Sequence, residues 1–129
     1  MDSTIELMIK RAASVLPNAY SPFSHFSVAA CISTPDNKLY AGVNVENSAY
    51  GQTLCAEMSA IAHMIAAGDR TIEHILILSS SKKSCPPCGG CRQGIYEFST
   101  KKTRVHLSDG QKIIQSYGIN ELLPCAFHL

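Results

Sequence analysis

The residues with the most reactive chemistry in this chain are cysteines, and three of the six are gathered at Cys85, Cys88 and Cys91. Cys88-Gly-Gly-Cys91 has the spacing at which two thiolates converge on one tetrahedral zinc, each about 2.3 Å from the ion, when the backbone turns tightly at a helix start. A helix amino terminus also favours the thiolate form. On its own a C-x-x-C pair is weak evidence, since only about half of such pairs are structural-zinc or redox motifs. Cys55-Ala56-Glu57, at the start of an apolar helical stretch, offers a third thiolate and a carboxylate two residues on. Three protein ligands leave zinc a fourth position for water, which distinguishes a catalytic ion from a structural one. Glu57 beside that water could take its proton and pass it to a substrate, general acid–base work over hydrogen-bond distance. Cys85 keeps a second arrangement open. Cys85-Pro-Pro-Cys88 is also C-x-x-C, and Cys55, Cys85, Cys88 and Cys91 could close a purely structural tetrahedron. Against that, two prolines stop Cys85 from sharing a helical turn with Cys88, and a closed site leaves Glu57 without a task.

These groups need a scaffold, and the rest of the sequence supplies one. Ser3 and Glu6 have capping-box spacing, and Ile5, Met8, Ile9, Ala12, Ala13 and Leu16 follow the i, i+3, i+4, i+7 rule, so a first amphipathic helix is predicted, ended by Pro17 and Asn18. Phe26 to Ser33 and Leu39 to Val45 read as strands joined through Thr34-Pro-Asp-Asn-Lys38, a hairpin. Leu54 to Ala67 predicts a largely buried second helix, with Gly68 as its left-handed C-cap. His74 to Leu78 is a short apolar run of the kind found in a central strand covered on both faces. After Pro86-Pro87 a helix begins at Cys88 and runs to about Phe98, and Arg104 to Leu107 is a further strand closed by Asp109-Gly110. That order predicts crossovers and helices packed on a mixed sheet. Cys31 and Cys125 read as small apolar fillers. His25, His63, His74, His106 and His128 lack metal-ligand spacing and read as packed or surface residues.

Composition narrows the function classes. A chain of 129 residues fits one domain spanning 1–129, burying roughly two-thirds of its unfolded surface. With 46% apolar and 16% charged residues and no biased tract, it reads as globular. Eleven Lys+Arg against 10 Asp+Glu give a net charge of +1, too little to hold a nucleic-acid backbone as main partner. No apolar run approaches the roughly 20 residues that span a bilayer, so no membrane partner is expected. The opening MDSTIELMIKRAA lacks the apolar core of about 7–15 residues that a signal peptide needs, and unpaired cysteines suit reducing conditions; the expected location is cytoplasmic.

Cys55-x-Glu57 with Pro87-Cys-x-x-Cys91 resembles the zinc site of cytidine deaminases. The resemblance to the short, homotetrameric members extends from Tyr20-Ser-Pro-Phe-Ser-His-Phe26 through Gly42-Val-Asn-Val-Glu-Asn47 to Glu121-Leu-Leu-Pro-Cys-Ala-Phe127. It implies a three-layer α/β/α sandwich with a mixed sheet, zinc on Cys55, Cys88 and Cys91, and Glu57 as proton shuttle. Cytidine and deoxycytidine are the implied substrates, with Phe26 near the pyrimidine, the Ala56 backbone on the base, and Asn44 with Glu46 on the ribose 3′-hydroxyl. Alternation along a strand would put Asn44 and Glu46 on one face. Tyr50 and Phe127 are implied to help close the pockets, Phe127 from a neighbouring subunit of a homotetramer with shared active sites. One departure concerns charge: family members with three cysteine ligands usually carry Arg after the catalytic Glu, where this chain has Met58, leaving Arg92 and the helix dipoles to offset three thiolates. Rivals to this reading are a deaminase of another aminopyrimidine nucleoside such as blasticidin S, a polynucleotide-editing deaminase, and a structural-zinc interaction module.

Overall fold

Helix α1 (Ser3–Val15) buries Ile5, Met8, Ile9 and Ala12 of the predicted stripe, while Ala13 is exposed and Leu16 falls past the helix end, in the computed structural model, which describes residues 2–129. Its first turn differs from expectation. Asp2 is the N-cap and accepts from the Thr4 amide at 2.7 Å, so Ser3 is already helical and no Ser3–Glu6 capping box forms. Aspartate caps as well as serine does, and its charge suits the positive end of the helix dipole.

Five strands form one sheet in the order β2-β1-β3-β4-β5: β1 Val28–Ser33, β2 Leu39–Val43, β3 Ile72–Ser79, β4 Ser99–Ser108 and β5 Ile113–Gly118. The β1–β2 hairpin, β1–β3 and β4–β5 are antiparallel, whereas β3 and β4 are parallel. A parallel pair needs a long connection across the sheet. Helix α3 (Gly89–Glu97) lies in that connection, and helix α2 (Ala56–Ala66) leads from β2 to β3. Gly68, at φ +98°, follows α2 as predicted.

Period-two alternation divides the sheet between two cores. Val28, Ala30 and Ile32 of β1 join Ile75, Ile77, Val105 and Leu107 against Ala56, Ala60, Ile61 and Met64 of α2 and Ile95 of α3. Ala29 and Cys31 join Leu76 and Leu78 against α1. The result is the three-layer α/β/α sandwich with a mixed sheet. It also explains the unbroken apolar stretches Val28–Ile32 in β1 and Ile75–Leu78 in β3, since both faces of these strands are covered there. The α2 layer sits unusually close to β2. A Cβ at Gly42 would stand 2.3 Å from the Ala60 nitrogen and 2.7 Å from the Ser59 carbonyl carbon, so only glycine fits beneath the helix.

Several boundaries move. β1 starts at Val28, not Phe26, and β2 stops at Val43, while β3 and β4 extend beyond His74–Leu78 and Arg104–Leu107. β5 and the four-residue helix α4 (Ile119–Leu122) are additions to the predicted set. β5 is an edge strand with exposed Gln115 and no fully buried residue, so its apolar signal is weak. Cys31 is buried as expected, but Cys125 is exposed at φ +55° and fills no core. His74 and His106, without any suggestive spacing, meet through strand register with His74 Nδ1 2.9 Å from His106 Nε2.

Candidate active site

Two helix starts converge on one point. Cys55 is the N-cap of α2 and Cys88 the N-cap of α3, and neither side chain makes a capping hydrogen bond. Cys91 follows in the first turn of α3 and is buried. The three Sγ atoms lie within 4.8 Å of one another. A tetrahedral zinc with bonds of about 2.3 Å holds its sulfurs about 3.8 Å apart, so this donor set fits the ion. Cys85 stands outside the thiol group, although it lines the adjoining cavity. The closed four-cysteine arrangement is therefore not formed among the described residues.

Burial pushes the Cys55 and Cys91 thiols up, and the Glu57 carboxylate adds to the effect at both. The Cys88 thiol is held down, chiefly by the electrostatic influence of the Cys91 backbone amide nearby, which favours the thiolate. A divalent cation between them would override these differences, because it favours the thiolate outright. Glu57, in the first turn of α2, is only 5% exposed, and burial pushes its carboxyl above the usual range. A shift in that direction makes the carboxyl a better proton acceptor than an exposed glutamate, which suits a proton shuttle.

A cavity of about 210 Å³ opens in front of these groups, lined by Val28, Asn44, Thr53, Leu54, Cys55, Ala56, Glu57, Cys85, Pro86 and Cys88. Sequence reasoning had singled out Asn44, Cys55, Ala56, Glu57 and Cys88 for this place. Val28, Thr53, Leu54 and Pro86 were not anticipated, and only the nearness of Thr53 and Leu54 to Cys55 could have marked them. A larger cavity of about 440 Å³ between the end of α3, β4 and α4 contains none of the candidate residues.

Although β2 ends at Val43, extended pairing continues past it. Val45 exchanges two 2.9 Å backbone bonds with Leu54, while the Asn44 carbonyl and Glu46 amide bond Tyr20 at 3.0 and 2.9 Å. Alternation is thus kept, and Asn44 and Glu46 turn to the same neighbouring segment. Asn44 Oδ1 accepts from the Val28 amide and its Nδ2 donates to the Phe26 carbonyl, both at 2.9 Å. Those bonds replace backbone pairing just where β1 begins. Glu46 accepts from the Phe23 and Ser24 amides and the Ser24 hydroxyl, and that hydroxyl chiefly holds its carboxyl below the usual range.

The remaining candidates stand at the periphery. Phe26 is 39% exposed, and Tyr50 and Phe127 are exposed and outside the cavity lining. Gln93 of α3 nonetheless ties the C-terminal segment down, its Nε2 donating to the Phe127 carbonyl at 2.9 Å. Arg92 has its guanidinium on backbone carbonyls, Nε to Pro87 at 2.8 Å and Nη1 to Leu122 at 2.9 Å. Met58 points into the α2–α3 contact, where a Cβ at Gly94 would come within 2.3 Å of its Sδ.

Similarity to known proteins agrees with this geometry. Residues 2–107 match the sequence profile of the cytidine and deoxycytidylate deaminase zinc-binding region. A cytidine deaminase from Mycoplasma genitalium is 41% identical over 128 residues, covering 98% of both chains. One from Halalkalibacterium halodurans is 38% identical, covering 95% of this chain and 92% of its own. The crystal structure of cytidine deaminase from Burkholderia pseudomallei superposes with a TM-score of 0.88 at 34% identity, over 98% of this chain and all of that one (100%). A match that runs through both helix starts and both cores leaves one assignment: the chain belongs to the cytidine and deoxycytidylate deaminase family.

Proposed function

We propose that the protein deaminates cytidine and deoxycytidine hydrolytically, giving uridine or deoxyuridine and ammonia, with zinc held by Cys55, Cys88 and Cys91. The observation that carries this reading is the convergence of three thiols, two of which, Cys55 and Cys88, line one cavity together with the buried Glu57 carboxylate. Zinc, when bound, supplies a water acidic enough to react near neutral pH. Glu57 takes the proton of the attacking water, delivers it to the ring at N3 as C4 becomes tetrahedral, and then serves the departing ammonia. The Ala56 backbone contacts the base, and the cavity of about 210 Å³ excludes water from the ring. That volume is below the roughly 300 Å³ typical of sites for larger ligands, which suits a heterocycle enclosed with its sugar at the mouth. There Asn44 and Glu46 hold the 3′-hydroxyl and Phe26 flanks the pyrimidine.

Tyr50 and Phe127 are 82% and 69% exposed in the single chain, which supports a role in closing a pocket across a homotetramer interface. The six free cysteines suit a reducing cytoplasm, and no described helix is long and apolar enough to cross a membrane. The product would re-enter the pyrimidine pool, a salvage role.

Metal analysis with an ultraviolet assay on cytidine, deoxycytidine and blasticidin S tests the reading. Zinc near one per chain and turnover of the first two are expected. Glu57→Ala should keep the metal and lose turnover by at least about 10²-fold. A zinc-replete protein inactive on both nucleosides would refute the assignment.

A further inference from the structure

The segment Ser21–Phe26 folds around the Glu46 carboxylate, and counting its hydrogen bonds shows what remains for a ligand. Oε1 accepts from the Phe23 amide at 3.0 Å and the Ser24 amide at 3.1 Å. Oε2 accepts from the Ser24 hydroxyl, whose oxygen in turn accepts from the Phe26 amide at 3.0 Å. An ionised carboxylate has about four lone-pair directions, so one on Oε2 is left. Asn44 is similarly committed. Its Oδ1 takes the Val28 amide and one Nδ2 hydrogen goes to the Phe26 carbonyl, leaving the other Nδ2 hydrogen. One remaining acceptor and one remaining donor match a single hydroxyl group.

We propose that Ser24 is a specificity-determining positioning residue, which fixes the Glu46 carboxylate and the Phe26 amide so that the Asn44–Glu46 pair accepts one sugar hydroxyl of the nucleoside. This rests on the nucleoside-deaminase reading above. Ser24 does not touch the reacting ring. It acts by saturating one oxygen of Glu46 and by joining the sugar-reading carboxylate to the backbone of the residue that flanks the base. Without its hydroxyl, Oε2 has two open lone pairs and the carboxylate is held through Oε1 alone, by the Phe23 and Ser24 amides, so a 3′-hydroxyl loses its single fixed partner. A substrate lacking that hydroxyl has nothing to lose.

The test compares cytidine with 3′-deoxycytidine for wild type, Ser24→Ala and Ser24→Thr, each pair of substrates measured on one preparation. Taking the ratio of kcat/KM values cancels any loss of folded or metal-loaded protein. Ser24→Ala should lower kcat/KM for cytidine about tenfold, mainly through KM, and leave 3′-deoxycytidine unchanged, since hydrogen bonds to charged groups carry that much discrimination. Ser24→Thr should restore the wild-type ratio. Equal losses on both substrates, or an unchanged ratio in Ser24→Ala, would overturn the proposal while leaving the deaminase reading intact. Wild-type protein inactive on both substrates would overturn that reading and this inference together.

Discussion

Replacing Gly42 by alanine should disable the site from a position that carries no chemistry. The added Cβ would stand 2.3 Å from the Ala60 nitrogen, 2.7 Å from the Ser59 carbonyl carbon and 2.8 Å from the Ala56 oxygen. All three are backbone atoms of α2, so no side-chain rotation relieves the contact. Ordinary carbon contacts lie near 3.5 Å, and restoring one requires α2 to recede from β2 by about 1 Å. Overpacking on this scale destabilises by about 1–3 kcal/mol. The same movement carries Cys55 and Glu57 away from Cys88 and Cys91, which ride on α3. Metal–ligand distances tolerate only about 0.2 Å, and a 1 Å misplacement of a reacting group lowers rate about 10²-fold. Gly42→Ala should therefore lower the urea midpoint, weaken zinc binding in competition with a chromogenic chelator, and cut cytidine turnover about 100-fold at saturating zinc. Gly51→Ala is the control, because no atom lies within 4 Å of its added Cβ; its unfolding should match wild type. Wild-type stability, zinc affinity and turnover in Gly42→Ala would show that α2 is not held in depth by this contact.

Two other perturbations probe the scaffold. His106 is 7% exposed, with Nδ1 2.7 Å from the Ser116 hydroxyl and Nε2 on His74, and burial, aided by the charges of His74 and Arg104, holds it down at about 4 against an ordinary 6.5. The unfolded chain takes up that proton first, so this contribution to stability is complete above about pH 6.5 and is lost as pH falls toward 4. The loss is at most about 3.5 kcal/mol, since a tenfold change in proton affinity is worth about 1.4 kcal/mol. Urea unfolding of His106→Asn should show a flatter pH dependence across that window, and a slope equal to wild type would exclude His106 as its source. Arg92→Met removes the two bonds to the Pro87 and Leu122 carbonyls, a loss of about 2 kcal/mol for a half-buried charged donor. Amide exchange should quicken in α4 and the following tail, and unchanged protection there would mean that the guanidinium fastens nothing.

Short-range features of the site could be read from the chain itself. Cys88 and Cys91 are three residues apart, and Cys55 and Glu57 two, so helix geometry alone nearly places them. The two cores were legible for a similar reason, because the unbroken apolar stretches Val28–Ile32 of β1 and Ile75–Leu78 of β3 need cover on both faces. Features that depend on distant segments were not. Ser24 reaches Glu46 across 22 residues of sequence, and His74 finds His106 across 32 through sheet register. Gly42 looks like an ordinary strand glycine until α2 is laid over it. β5 and α4 escaped for lack of signal, one being an exposed edge strand and the other a single turn too short for periodicity.

The absence of a capping bond at Cys55 and Cys88 has an evolutionary consequence. Serine, threonine, asparagine or aspartate at either position would start its helix better, by about 1 kcal/mol each. Thiolate chemistry and thermal robustness therefore select opposite residues at the same two sites. A lineage that abandoned catalysis would be expected to drift toward hydroxyl or carboxylate caps here first, growing sturdier as it lost its reason to bind metal.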